Sequence, residues 1–250
     1  MRPGRGEPSA QDTGGSDGED ELAVLLSEFA RSAQQQGDPD STLTEIVRAA
    51  VALVPGCDEG SISVVLGRRK VVSQAASGRL PEVVDALQMR LGEGPCLDAA
   101  YEQETVRVVD MAAETRWPVF AREASDAGAG GMLSFQLYVE DDNLGALNLF
   151  SYRAGAFTDE SEHVGLLFAA HAAVAYAAAR QKAKLTRTVA TRQLIGQAQG
   201  IVMERHRLTA DQAFSLLVRA SQHTNTKLRD IAEHLVLSGE LTSNAETTQG

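Results

Sequence analysis

The sequence predicts an α+β protein in which an antiparallel sheet flanked by helices is joined by a long helix to a C-terminal three-helix bundle. Apolar and polar residues alternate in the strand-like segments 133–139 and 144–150. After residue 159 the chain contains no proline and is rich in alanine, which favours one long helix. Three amphipathic segments lie between residues 191 and 241. These patterns predict a strand-containing domain followed by an all-helical one.

The N-terminal region begins with a segment that carries few large apolar side chains. Residues 1–20 are rich in Gly, Asp and Ser, which predicts a disordered tail. Leucines at helical spacing predict a helix over residues 21–36. A second helix is expected from about residue 40 to the turn at Pro55-Gly56.

The pattern then changes from helical to strand-like. Residues 61–66 and 70–76 predict a hairpin, which is followed by a short helix over 81–91 and a strand near 106–109. Leu133, Phe135, Leu137 and Val139 alternate with polar residues, and the return strand runs from Leu144 to Phe150. One apolar face on each strand predicts a sheet that is covered by helices on one side.

A long helix is predicted over residues 159–205, with Thr158 as a cap and acidic residues in its first turn. Several of its apolar residues lie close to heptad-related faces: Leu167, Val174, Leu185, Val189 and Val202. This spacing indicates pairing with a second copy of the chain, so we expect a homodimer through the long helix.

Three short helices are predicted near the C-terminus from their apolar stripes. The stripes consist of Ile195, Ala198 and Val202, then Ala213, Leu216, Leu217 and Ala220, then Leu228, Ile231, Ala232 and Leu235. Thr209 and Gln212 have the spacing of a capping box. The turn 224–226 is expected to cap the third helix, and Gly239 is suited to its C-terminal end.

Each of these helices carries a recognisable motif: A-Q-G-I-V-M-E-R at 198–205, L-T-A-D-Q-A-F-S-L-L at 208–217 and A-S-Q-H-T-N-T-K-L-R-D-I-A at 220–232. In order and spacing these motifs resemble the ANTAR domain, a family of RNA-binding three-helix modules that act as transcription antiterminators. The resemblance implies that the partner is paired RNA stem-loops in nascent transcripts, held by a dimer. The family commonly has Lys where Gln199 stands here, so one phosphate contact is absent.

The candidate RNA-binding residues combine cations for phosphates with amides and hydroxyls for exposed base edges. Asn225 has an alternative role as a helix cap. The predicted set is Arg192, Arg205, Arg219, Gln222, Thr224, Asn225, Lys227 and Arg229.

The preceding region carries four short motifs: G-E-G-P-C at 92–96, R-W-P-V-F at 116–120, L-G-A-L-N-L-F-S at 144–151 and F-T-D-E at 157–160. With the order of helices and strands, they resemble a GAF domain, a family of ligand-sensing modules. The resemblance implies an unidentified small ligand or protein partner and does not point to a particular cofactor. The candidate ligand-binding residues are Cys96, Trp117, Phe120 and Phe135, although a W-P-x-F cluster is also typical of a core.

These resemblances divide the chain into a tail (1–20), a GAF domain (21–180), a connecting helix (159–205), an ANTAR domain (185–241) and a flexible tail (242–250). The net charge of −11 is distributed unevenly between these regions. Residues 1–179 contain 13 Lys+Arg and 28 Asp+Glu, whereas residues 180–241 contain 10 and 5. The basic charge therefore lies in the segment that is expected to bind RNA.

Catalysis and metal binding have little support in the sequence. The five histidines show no metal-ligand spacing, and Cys57 and Cys96 form no C-x-x-C motif. We therefore expect neither an enzyme nor a metal site. The absence of a signal-peptide pattern and of a membrane-length apolar run predicts a cytoplasmic protein that does not bind membranes.

The sequence thus predicts a ligand- or partner-responsive antiterminator that binds RNA. One alternative is a DNA-binding regulator, because three short helices can hold a helix-turn-helix. A second is a GAF-type methionine sulfoxide reductase that uses Cys96 with Cys57. A third is a sensor or scaffold that contacts proteins alone.

Overall fold

The computed structural model describes residues 24, 27–28, 31–32, 38–66, 70–101, 105–139 and 142–241. The tails predicted for 1–20 and 242–250, and most of the helix predicted for 21–36, lie outside the described residues. The chain divides into two compact units, one ending at Gln181 and the other beginning at Lys182.

The first unit is built on a five-stranded sheet whose neighbouring strands are all antiparallel. The strands are β1 (Glu59–Leu66), β2 (Lys70–Ala76), β3 (Thr105–Val108), β4 (Gly131–Val139) and β5 (Asp142–Ser151). Their order across the sheet is β2-β1-β5-β4-β3. The predicted β1–β2 and β4–β5 hairpins are both confirmed.

Several helices and a short 3₁₀ helix connect or flank these strands. They are α1 (Pro39–Leu53), α2 (Arg79–Leu91), α3 (Pro95–Tyr101), the 3₁₀ helix Met111–Ala113 and α4 (Pro118–Asp126). Helices α3 and α4 are absent from the sequence prediction. Each begins with a proline, which is favoured at the first helical position and marks where a helix can start.

Helices cover both faces of the sheet, so the expectation of helices on one side is wrong. On one face, Ile62, Leu133 and Leu147 pack with apolar residues of α1 and of the long helix that follows β5. On the other face, Val106, Met132 and Phe150 pack with residues of α2, α3 and α4. Two hydrophobic clusters therefore sandwich the sheet.

The predicted long helix is confirmed as α5 (Asp159–His206), an uninterrupted helix of 48 residues. At its start Thr158 and Ser161 exchange hydrogen bonds, and Arg107 of β3 pairs with Asp159 and Glu162. Further along, Phe168 and Ala172 are buried in the first cluster.

Helix α5 is also long and apolar enough, by length and composition, to cross a membrane. Its most apolar window has a mean hydropathy of 1.2, and 44% of that window is buried inside the protein. The core helix of a soluble protein meets the same criterion.

The second unit contains the C-terminal part of α5 together with α6 (Ala210–Thr224) and α7 (Leu228–Ser238). Its core consists of Ala198, Val202, Ala213, Leu217, Ile231, Ala232 and Leu235. The three predicted apolar stripes all contribute to this core or pack against it. The predicted capping box is also present, with Thr209 and Gln212 bonded reciprocally at the start of α6.

Candidate functional site

The turn between α6 and α7 is held by a hydrogen-bonded helix end. Asn225 adopts the left-handed conformation with φ 52°, and its N–H donates to the Gln222 carbonyl at 3.4 Å. The Thr226 N–H donates to the Ser221 carbonyl at 3.1 Å, which completes a Schellman motif. The turn therefore ends α6. The expectation that this turn caps α7 is wrong. Lys227 is the N-cap residue of α7, and no side chain forms a capping hydrogen bond there.

The helical unit has two chemically different ends. Helix α6 starts four residues after α5 ends, and the Arg205 guanidinium at the end of α5 donates to the carbonyl of Gly239, just beyond α7. We call this end, residues 204–211 with 239–240, the closing end. Gln199 belongs beside it, because its side-chain amide donates to the Ala210 carbonyl at 2.7 Å.

The opposite end, residues 219–230, is the turn end. Helix α6 has 15 residues and so spans about 22 Å, which places the turn level with roughly residue 191 of α5. The closing end holds three acidic residues (Glu204, Asp211 and Glu240) against two arginines, a net charge of −1. The turn end holds three basic residues against Asp230, a net charge of +2. The charge of the bundle is therefore polarised along its length.

The turn end brings together most of the predicted RNA-binding residues. Exposed side chains there are Arg219, Gln222, Asn225, Lys227 and Arg229, and Arg192 is exposed on α5 nearby. Arg229 Nη2 lies 3.9 Å from Glu233 Oε2. This ion pair is exposed and contributes little to stability, because water screens the two charges. Within the described chain, Arg219 and Lys227 form no ion pair. Their charges are available to an anionic partner.

Two members of the predicted set are placed differently. Arg205 lies at the closing end, where its guanidinium is bonded to the Gly239 carbonyl. Thr224 is half-buried, and its hydroxyl donates to the Ala220 carbonyl at 2.8 Å, within its own helix. The structure therefore does not bring Arg205 together with the turn-end residues, and it gives Thr224 a local bond.

A second candidate site is a buried polar cluster in the first unit, on the sheet face covered by α2, α3 and α4. The Asp85 carboxylate accepts hydrogen bonds from Ser73 Oγ at 2.9 Å, Ser63 Oγ at 3.3 Å and Asn148 Nδ2 at 3.4 Å. Burial raises the pKa of Asp85 to about 6, although the serine hydroxyls act in the opposite direction. None of these partners carries a positive charge.

Gln88, one turn after Asp85 on α2, belongs to the same buried region. Its Oε1 accepts from the Cys96 backbone N–H at 2.8 Å. Its Nε2 is buried and has no hydrogen-bond partner among the described residues. A buried donor without an acceptor is costly in a folded protein. The cluster thus contains an unneutralised carboxyl group and an unused amide donor.

The predicted ligand-binding residues are divided between the two faces of the sheet. Cys96, Trp117 and Phe120 belong to the cluster beneath α2, α3 and α4, where the two rings pack edge to face with centroids 6.3 Å apart. Phe135 belongs to the opposite cluster. Its ring lies against Gly165 of α5, where a Cβ atom would collide with it. The four side chains therefore do not line one pocket.

Sequence reasoning missed the buried polar cluster because it assumed a sheet with one covered face. On that assumption Ser61, Ser63, Ser134 and Asn148 occupy the solvent side of their strands, where polar residues need no explanation. A usable signal was present in the 81–91 helix. Asp85 and Gln88 are three residues apart and adjoin its apolar positions, so they share its buried face.

Comparison with protein families follows this division of the chain. A model described as GAF domain matches residues 36–177, and a model described as ANTAR domain matches residues 183–236. The first match covers more than half of the 250 residues. The chain belongs to the GAF family. In this protein an ANTAR domain follows the GAF domain.

Solved structures of low sequence identity share the fold of the GAF domain. The GAF domain of a Coxiella burnetii phosphoenolpyruvate-protein phosphotransferase has a TM-score of 0.50 and 19% identity, and the match covers 65% of this chain and 96% of that one. Free methionine-R-sulfoxide reductase from Neisseria meningitidis, solved with its substrate, has a TM-score of 0.51 and 17% identity, covering 69% and 95%. No curated protein matches the sequence.

The chemistry of the two thiols differs from that of a reactive cysteine pair. Burial raises the pKa of both Cys57 and Cys96 to about 12, so both are protonated at neutral pH. Cys96 lies in the cluster under α2, α3 and α4, whereas Cys57 packs against the cluster on the other face. Together with the ANTAR domain, these features support a regulator rather than an enzyme.

Proposed function

We propose that this GAF–ANTAR protein is a ligand- or partner-responsive antiterminator that binds stem-loops in nascent transcripts and prevents termination. The observation that carries the proposal is the turn end of the ANTAR bundle, where Arg219 and Lys227 are exposed cations beside Gln222 and Asn225. Cations bind phosphates, whereas amides read the edges of unstacked bases. A helical surface with this combination is suited to an RNA hairpin.

The buried polar cluster supports a sensory role for the GAF domain. A small ligand with one acceptor and one donor would satisfy Gln88 Nε2 and the Asp85 carboxylate together. Cys96, Trp117 and Phe120 line the same side of the sheet and would form the apolar surroundings of this ligand. Because the target is a nascent transcript, the protein acts in the cytoplasm.

The homodimer expected from the sequence is supported by exposed apolar residues on α5. Leu167 and Val174 are 37% and 60% exposed in the first unit, and Leu185 and Val189 are 57% and 64% exposed in the second. Val202 does not belong to this seam, because it is buried in the bundle core. A second α5 helix that packs on these side chains would remove them from water.

A binding titration tests the function. The purified protein is titrated against a tandem RNA stem-loop and against duplex DNA of equal length, at two salt concentrations. We expect selective RNA binding that weakens as salt rises, and a loss of about tenfold or more on Lys227→Ala plus Arg229→Ala.

The matched control is Arg79→Ala plus Arg122→Ala, which removes two exposed arginines from the GAF domain instead. This control is expected to bind RNA as the wild type does. Equal binding to RNA and DNA would favour a DNA-binding regulator, and no binding to either would leave a protein-binding sensor as the function. Either result contradicts the proposal.

A further inference from the structure

Helix α5 carries exposed basic residues just before it enters the ANTAR bundle, and the turn-end site does not include them. Lys184 and Arg187 are exposed. Between Glu162 and Glu204 the helix contains no acidic residue. In the described part of the chain, neither Lys184 nor Arg187 forms an ion pair. Their positive charges are therefore uncompensated.

The helical repeat fixes the direction in which these two side chains leave α5. Lys184 precedes Val202 by 18 residues, which is five turns of 3.6 residues, and Arg187 precedes Ala198 by 11 residues, about three turns. Val202 and Ala198 face the bundle core. Lys184 and Arg187 therefore lie on the side of α5 on which α6 and α7 pack, but beyond the end of those helices.

Their position along the helix axis brings them near the turn end. Leu194 packs against the bundle core, and Arg187 and Lys184 precede it by 7 and 10 residues. At 1.5 Å per residue these separations are about 10 and 15 Å. Because the turn is level with about residue 191, Arg187 and Lys184 lie roughly one and two helical turns past the level of Asn225 and Lys227.

The seam proposed for the dimer leaves this surface free. Leu185 and Arg187 are two residues apart and so point in directions about 160° apart around the helix, and Val189 and Arg187 differ by the same angle. Arg187 consequently faces away from a partner helix that packs on Leu185 and Val189. Lys184 lies about 100° from Leu185, on the flank of that seam.

We propose that Lys184 and Arg187 form a second RNA contact, which binds phosphates of the stem while the turn end binds the loop. The inference rests on the proposed function and extends its interface along α5. The turn end supplies amides that discriminate between bases, whereas Lys184 and Arg187 supply charge alone. The α5 contact strengthens binding and positions the hairpin without selecting its sequence.

The test uses the full-length protein and a pool of fluorescent tandem RNA stem-loops whose loops are randomised. Lys184→Ala plus Arg187→Ala should weaken binding by about tenfold per residue at 0.05 M salt, and should make the slope of log K against log salt less negative by about 1.5 to 2. The loops enriched from the pool should remain the same as for the wild type. Alanine favours helix, so α5 should be preserved.

Arg79→Ala plus Arg122→Ala is the matched control, because it removes two exposed arginines from the GAF domain. It should leave affinity and slope almost unchanged. Equal effects of the two double variants, or no effect of Lys184→Ala plus Arg187→Ala, would overturn the inference and leave the proposed function intact. Failure of the wild type to bind the pool, or unchanged binding by Lys227→Ala plus Arg229→Ala, would reject the proposed function as well.

Discussion

Asp85 is a carboxyl group enclosed by serine hydroxyls and the Asn148 amide, on the sheet face covered by α2, α3 and α4. Its pKa is raised from 3.8 to about 6 because burial disfavours the charged form. The folded protein therefore binds more protons at this site than the unfolded chain does between about pH 4 and pH 6. The stability contributed by protonated Asp85 is present below pH 4 and is lost as the pH rises through 6.

The substitution Asp85→Asn should remove the loss of stability that accompanies ionisation of Asp85. Asn has nearly the same size as Asp and can still exchange hydrogen bonds with the serine hydroxyls. At pH 7 the variant should gain up to about 3 kcal/mol in free energy of unfolding, and its stability should vary less between pH 4 and 6. Urea unfolding, followed by fluorescence of Trp117, measures this, because the single tryptophan lies in the cluster on that face.

Asp126 is exposed, so Asp126→Asn is the control. Its free energy of unfolding should depend on pH as that of the wild type does. If Asp85→Asn also kept that dependence, Asp85 would not titrate as its burial indicates.

At the scale of elements, the end of α6 combines a structural requirement with a functional one in Asn225. Its φ of 52° lies in the left-handed region, which Asn and Gly tolerate better than other residues. The backbone conformation alone explains an Asn or a Gly here. The side-chain amide is exposed at the turn end, where the proposed function uses it to contact RNA.

Two substitutions separate these roles. Asn225→Gly should keep the free energy of unfolding within a few tenths of a kcal/mol, because Gly has no Cβ atom to crowd the left-handed conformation. Asn225→Ala should cost about 1 kcal/mol, because Ala has the Cβ atom but lacks the short polar side chain with which Asn stabilises this conformation. Both should weaken RNA binding, since both lack the amide. Circular dichroism during urea unfolding gives the stability, and titration with the tandem stem-loop gives the affinity. If Asn225→Gly bound RNA with wild-type affinity, Asn225 would serve only to end the helix.

At the scale of the whole molecule, α5 contributes to both units and carries the exposed seam proposed for dimerisation. Leu185→Gln plus Val189→Gln keeps the charge and replaces two exposed apolar side chains. Because a polar seam no longer gains from burial, this variant should be monomeric at concentrations where the wild type is a dimer. Light scattering after size-exclusion chromatography measures the mass.

Leu237→Gln is the control, since Leu237 of α7 is also apolar and is even more exposed, but lies outside the seam. This variant should remain dimeric. A monomeric wild type, or a dimeric Leu185→Gln plus Val189→Gln variant, would contradict pairing through α5.

Local sequence patterns predicted most of the helices and strands, because these elements depend on residues that are close together in the chain. The spacing of apolar residues predicted the bundle core, and Thr209 with Gln212 predicted the capping box. The candidate site was less predictable. Exposed cations such as Arg219 can be recognised by type, but whether Arg205 joins them depends on which end of the bundle it occupies.

The sequence by itself determined the α+β class, the hairpins, the length of α5 and the three-helix bundle, because each follows from periodicity and turn residues over short distances. The tertiary structure alone decided that helices cover both faces of the sheet. That arrangement buries Asp85 and Gln88 and separates Phe135 from Cys96, Trp117 and Phe120. It also decided that the turn end of the bundle has a net positive charge and the closing end a net negative one. Burial and charge polarity depend on which elements pack together, and no single segment of the chain encodes that.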